Sequence, residues 1–242
     1  MSDKTSACAI FEKLAMLRQQ VRRAGARVDE ASSAVRGRAV QADDRPSLAE
    51  RRKTALRFEI AGEAVRLFAS QGVTGTTGEQ IAQAAGISSR TLWRHFPTKE
   101  SCVLPLLSAG LEFAMEQLRH WPADIGLLDF VTQSLRVGEL PAGAPAILDL
   151  IRMTTTDPAL RAVWLQAHDD ALPVLGQLLA QRSGGSADDL RIKVHAATFN
   201  GALRAASEDF ARRYAEDPKA SGSEIATCLI AALRAASEGL PY

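Results

Sequence analysis

The sequence predicts an all-α protein. Runs in which Val, Ile, Thr or aromatic residues alternate with polar ones are missing, whereas Ala, Leu, Arg and Gln recur at three- and four-residue spacing along almost the whole chain. At 242 residues, 46% hydrophobic and 24% charged, the composition is that of an ordinary soluble protein, long enough to bury a core in one large or two smaller domains. No apolar run approaches the ~20 residues that span a bilayer. Residues 1–10 are polar rather than a secretory signal, which predicts a cytoplasmic protein. Cys8, Cys102 and Cys228 lie far apart with no C-x-x-C pair, so neither a metal site nor a disulfide framework is expected.

The elements follow in order. In residues 1–46, Ile10, Phe11, Leu14, Leu17 and Val21 make one apolar stripe beside Arg18, Arg22 and Arg23, which predicts a helix over 6–23. Residues 25–46 are rich in Ala, Ser, Arg and Asp and read as linker or disorder. A helix over 47–70 follows, with Ser47 and Glu50 as a capping box and Leu56, Ile60, Ala64, Leu67 and Phe68 as its buried stripe. Arg51, Arg52 and Lys53 cluster at its start. Thr76 or Thr77 caps the next helix, with Glu79 or Gln80 three residues on as the reciprocal partner, and the free N–H groups there could hold a phosphate.

Residues 77–99 predict a helix, a tight turn and a second helix. Ile81, Ala82 and Ala85 share one face, Gly86 permits the turn, and Ile87 and Leu92 resume the apolar face. Ala84 and Ala85 are small enough for the second helix to cross closely, at the steep angle of a helix-turn-helix. Ser88 caps that helix. Its outer face carries Ser88, Ser89, Arg90, Thr91, Trp93, Arg94 and His95, all able to donate to phosphates and base edges, and no carboxylate interrupts them. Leu92 and Phe96 belong to the core; Trp93 fits either the core or a contact. A turn at 97–100 starts a fourth helix that runs to about 119.

This run resembles the DNA-binding domain of TetR-family transcriptional regulators. The likeness extends over Ala64, Leu67 and Phe68, Gln71-Gly72-Val73, Thr76-Thr77, Ile81-Ala82, Ala85-Gly86-Ile87-Ser88, Thr91-Leu92-Trp93, His95-Phe96 and Lys99-Glu100. Two positions depart from it: Gly78 stands where the family has an apolar residue, which would loosen the first turn of its helix, and Trp93 stands where tyrosine is commoner. The resemblance implies phosphate contacts from one or two of Arg51, Arg52 and Lys53, Arg52 among them, and from Lys99. It also implies an effector pocket among the middle helices of the C-terminal half and a homodimer interface on the last two. Residues 1–46 lie outside the pattern and read either as a basic arm touching DNA or as a flexible tail.

Beyond residue 105 the pattern is a helical bundle. Helices are expected from about 124 to 138, over 146–155, from Asp157-Pro158 to about 181 with a kink at Pro173, over 188–215 and over 223–238. Residues 141–145 read as a loop and 183–186 as a flexible joint. Candidate pocket residues are Trp121, Phe130, Met153, Trp164, His168, His195, Phe199 and Asn200, each aromatic, soft or singly polar among apolar helices. Plain core packing accounts for the same pattern. Arg152, amid apolar neighbours, calls for an anionic partner, either a ligand or Asp149 or Asp157.

Charge is segregated. Residues 45–105 hold nine basic and five acidic side chains, and residues 106–242 hold twelve and seventeen. No G-x-S-x-G, H-E-x-x-H, P-loop or dinucleotide fingerprint occurs, so neither enzymatic chemistry nor a cofactor is expected. The reading is a ligand-responsive repressor: an extension at 1–46, a helix-turn-helix domain at 47–104, and an effector-binding and dimerisation domain at 105–242. The alternatives are a helical binding protein without specific DNA affinity and an activator of the same fold.

Overall fold

The computed structural model describes residues 47–137, 144–215, 217 and 222–239, and all regular elements among them are helical. The helix expected over 6–23 and most of the 141–145 loop lie outside the described residues. The α-helices are α1 (Leu48–Gln71), α2 (Gly78–Ala84), α3 (Ser89–His95), α4 (Leu104–Arg119), α5 (Leu127–Val137), α6 (Ala144–Thr154), α7 (Pro158–Ser183), α8 (Leu190–Arg213) and α9 (Gly222–Glu238).

Local hydrogen bonding sets the starts of these helices. At α1, the Ser47 hydroxyl accepts from Glu50 N while Glu50 accepts from Ser47 N. At α7, one Asp157 carboxylate oxygen accepts from both Ala159 N and Leu160 N at 2.9 Å, and Pro158 occupies the first turn, where its missing N–H leaves no acceptor unpaired. Gly184 ends α7 in the left-handed region, with φ 67°. Pro173 lies inside α7.

Two starts differ from expectation. The fourth helix does not run from the 97–100 turn; Glu100–Val103 form a 3₁₀ turn and α4 begins at Leu104. Thr98 and Ser101 exchange backbone-to-hydroxyl bonds at 3.1 Å, which caps the tighter turn before Pro105 enters the first turn of α4. Likewise α5 begins at Leu127 rather than near 124, because Arg182 fastens the preceding loop. Its guanidinium lies 3.5 Å from the centre of the Trp121 ring and donates to the carbonyls of Trp121 and Pro122 at 2.9 and 2.7 Å.

The helices share three apolar clusters. The first joins α1, α2 and α3, through Ile60, Phe68, Ile81 and Leu92, to Leu106 and Leu107 of α4, Leu150 of α6, and Leu160 and Trp164 of α7. A second gathers Leu148, Phe210, Ile225 and Cys228 between α6, α8 and α9, and a third gathers Leu118, Leu175, Phe199 and Leu233 toward the far end. Burial pushes the Cys102 thiol up to about 12, so it serves as core rather than as a nucleophile.

Leu150 is fully buried where α6 meets the first cluster. Leu150→Ala is expected to destabilise the fold by about 2–5 kcal/mol in urea denaturation, because the packing around it can collapse only in part.

Candidate nucleic-acid interface and ligand cavity

The helix-turn-helix is fixed by a chain of caps. The Thr77 hydroxyl accepts from Gln80 N at 3.2 Å, and Gln80 Oε1 accepts from Thr77 N at 2.8 Å and from Gln71 Nε2 at 3.0 Å, tying α2 back to α1. Gly86 takes φ 67° in the turn between α2 and α3, a conformation that favours glycine. Ser88 then caps α3, its hydroxyl accepting from Thr91 N at 3.2 Å and lying 3.0 Å from the Thr91 hydroxyl. Leu92 and Phe96 face the core. Arg90, Trp93 and Arg94 are exposed, and Ser89, Thr91 and His95 are half-buried.

His95 sits where α3 meets α1. Its carbonyl accepts from Arg57 at 3.5 Å, and that guanidinium lies 4.7 Å from the centre of the Phe96 ring. Burial, followed by the charges of Arg94, Arg57 and Lys53, holds the His95 imidazole below its ordinary pKa, so it is neutral at pH 7.

Three proposed DNA ligands have structural work of their own. Thr76 is buried, donates to Gly72 O at 2.8 Å and accepts from Gln71 Nε2, which makes it a loop anchor rather than a surface group. Thr77 is exposed, but its hydroxyl is the cap of α2. Lys99 Nζ donates to Val73 O at 2.6 Å and Thr76 O at 2.8 Å, pinning the loop between α1 and α2, and lies 3.8 Å from Glu100. Two of its three N–H groups are thereby committed within the protein. Arg52 is exposed at the start of α1.

Gly78 and Trp93 form one unit. A Cβ at Gly78 would overlap the six-membered ring of Trp93, and its Cε2 would lie only 3.3 Å away. Gly78 is accordingly buried although Trp93 remains 42% exposed. The missing side chain does not loosen the turn; it makes room for the indole, which lies across the start of α2 and braces α3 against it. The two departures from the family pattern therefore compensate each other.

A cavity of about 180 Å³ opens among α4 to α9. Its wall is apolar, with Leu111, Phe113, Phe130, Ile147, Trp164, Phe199, Leu203 and Leu229 among its members, and Gln117, Ser134, His168 and Ser207 as its uncharged polar groups. Four expected pocket residues, Phe130, Trp164, His168 and Phe199, line it together. Asn200 stands behind the wall, its amide paired with His168. Burial is the main influence that lowers the His168 pKa, and Arg204 adds to it against the Asn200 bond and Glu208.

The remaining candidates lie elsewhere. His195 is exposed on α8 because its neighbours Ala196 and Phe199 take the buried face. Trp121 stacks on Phe130 at 6.4 Å and donates from its indole to Ile125 O at 2.7 Å, so it closes the loop outside the cavity. Met153 packs with the first core cluster. Arg152 bonds Asp149 at 2.9 Å and Tyr214 O at 3.2 Å over the Phe210 ring, which ties α6 to the end of α8. Sequence reasoning missed the aliphatic wall residues, whose spacing is that of any core, and the role of Arg182, whose partners lie some sixty residues away.

Residues 60–106 match the family described as bacterial regulatory proteins, tetR family, and residues 141–241 match the MftR C-terminal domain. The chain is 30% identical over 184 residues to the HTH-type transcriptional regulator TcmR of Streptomyces glaucescens, covering 72% of this chain and 81% of that one. It is 28% identical over 164 residues to MftR of Mycobacterium tuberculosis, assigned as a regulator of mycofactocin biosynthesis, covering 67% and 83%. A crystal structure of a Mesorhizobium loti protein assigned to the TetR family shares the fold, with TM-score 0.50 and 20% identity over 80% of this chain and 98% of that one.

Gly78→Ala should destabilise the protein by about 1–3 kcal/mol, as overpacking does, and should be neutral or slightly stabilising once Trp93→Ala has emptied the space. Thermal unfolding of the four proteins in this cycle checks the coupling; additive effects would show that the two residues do not interlock.

Proposed function

The chain belongs to the TetR family of bacterial regulatory proteins, and on that premise we propose that it is a ligand-responsive repressor that binds a palindromic operator as a homodimer and is released by a small molecule. Residues 47–104 are its DNA-binding domain and residues 105–242 its effector and dimerisation domain. The observation that carries the reading is the outer face of α3: Arg90, Trp93 and Arg94 are exposed while Leu92 is buried in the core that holds the helix. A guanidinium on such a helix gives two parallel N–H donors to guanine in the major groove. Arg52 at the start of α1 supplies a phosphate contact, with Ser88 and Thr91 at the start of α3; Thr77 and Lys99 act mainly by holding the α1–α2 loop in place.

Dimerisation is supported by an exposed stripe. Leu190 is 74% and Val194 52% exposed on α8, and Ala197, Gly201 and Ala205 continue the same helical line; Thr227, Ala231 and Ala235 do so on α9. Large aliphatic residues at one end and small ones along the rest suit two helix pairs crossing closely on a two-fold axis. The pair of α3 helices would then enter successive major grooves about 34 Å apart.

Release follows from shared packing. Leu107 and Trp164 belong both to the core beneath α1 to α3 and to the cavity wall, and Ile147 packs against both. A ligand that displaces these side chains shifts the base on which the helix-turn-helix rests. It thereby alters the separation of the two α3 helices, and both half-sites can no longer be filled together.

Selection of tight binders from a random duplex pool is expected to return two inverted half-sites. On the selected duplex, Arg94→Ala should weaken binding by about 1–3 kcal/mol with the dimer intact; unchanged affinity would remove α3 from the interface. Val194→Arg should yield a monomer in sedimentation velocity and lower affinity for the paired site about a hundredfold.

A further inference from the structure

We propose that the effector is an uncharged, largely apolar molecule carrying a hydroxyl-type donor, and that it gives this hydrogen to Nε2 of His168. The inference rests on reading the cavity among α4 to α9 as the effector site. Among the described residues no Asp, Glu, Lys or Arg lines that cavity, so a ligand charge would find no partner among them.

The wall formed by α7 and α8 has a definite hydrogen-bond polarity. Asn200 Nδ2 donates to His168 O at 3.1 Å, and a carbonyl can only accept, so the amide oxygen of Asn200 is the atom that lies 2.8 Å from His168 Nδ1. Nδ1 therefore carries the hydrogen. Burial disfavours a second proton on the ring, and Nε2 is left with a lone pair. His168 lines the cavity, its side-chain bond uses Nδ1 alone, and no buried side-chain nitrogen or oxygen among the described residues lacks a partner. Nε2 consequently opens onto the cavity rather than into sealed core. The ring packs edge-on against Trp164, with 5.1 Å between the ring centres.

Ser207 extends the pattern. It lies two turns beyond Asn200 on the same face of α8 and lines the cavity, and its hydroxyl hydrogen goes to Leu203 O at 3.0 Å. Its oxygen, like His168 Nε2, faces a ligand as an acceptor. His168 Nε2 and Ser207 Oγ are both acceptors, so a molecule that meets this pair does so by donating, as an alcohol or a phenol does.

Three probes of one size separate the possibilities by calorimetric titration of the full chain: 2-naphthol, its methyl ether 2-methoxynaphthalene, and the anion 2-naphthoate. Naphthol is expected to bind about fivefold to tenfold tighter than the ether, the worth of one neutral hydrogen bond, and naphthoate weakest. In His168→Phe the preference for naphthol over the ether should fall below twofold. Equal binding of naphthol and ether to the wild-type protein, a comparison that does not depend on whether the variant folds, overturns the donor assignment. A preference that survives in folded His168→Phe overturns the role of His168, and naphthoate binding as tightly as naphthol overturns the uncharged class. Failure of all three probes to bind overturns the cavity reading itself, and this proposal with it.

Discussion

The structure depends on one buried cluster in which α1 packs against α4 and the Glu100–Val103 turn, and α7 packs against that same turn and α4. Leu106, Leu107, Leu160 and Trp164 enter the same buried cluster as Ile60, Phe68, Ile81 and Leu92, so the three N-terminal helices have no core that is theirs alone. Helices of seven residues, such as α2 and α3, are not stable in isolation and take their stability from tertiary packing. The side chains that pack beneath them also form the wall of the cavity. Leu107 and Trp164 belong to both, and Leu111 and Ile147 line the cavity while packing against the cluster. A close-packed interior transmits a displacement of one wall to the other instead of absorbing it, which is the basis of the proposed link between occupancy and the placement of α3.

The polar features divide between the two ends in a way that follows from burial. Around α3 the cations are exposed, where they are cheaply solvated and free to meet a polyanion. In the cavity the one ionisable group among the described residues is a histidine kept neutral by burial. Elsewhere arginines close loops rather than bind ligands: Arg182 holds the α4–α5 connection and Arg152 the end of α8, each through backbone carbonyls that no helix satisfies.

Much of this was legible in the sequence because it is local. Capping at Ser47, Ser88 and Asp157 is encoded within three or four residues and appears where expected. The ambiguity between Thr76 and Thr77 is resolved by burial: Thr76 turns inward to Gly72 O, leaving Thr77 to cap. What was not legible is set by distant partners. Gly78 read alone as a weakness, and only its contact with Trp93 shows the gap to be filled. Lys99 read as a phosphate ligand, but its ammonium meets two carbonyls twenty-three and twenty-six residues earlier. Phe130, Trp164, His168 and Phe199 were identified from type alone, whereas Leu203 and Leu229 beside them carry no mark distinguishing wall from core.

The link between cavity and DNA-binding helices is tested most directly without any ligand, by building the occupant into the wall. Ala114 lines the cavity from α4, and Ala114→Phe would place a ring inside it. The measurement is the affinity of this variant for a duplex selected by the wild-type protein, taken alongside its oligomeric mass. A fall of tenfold or more in affinity, with the dimer retained, is the predicted result. Unchanged affinity in a folded variant that no longer takes up 2-naphthol would contradict the coupling and leave the cavity without a role in DNA binding.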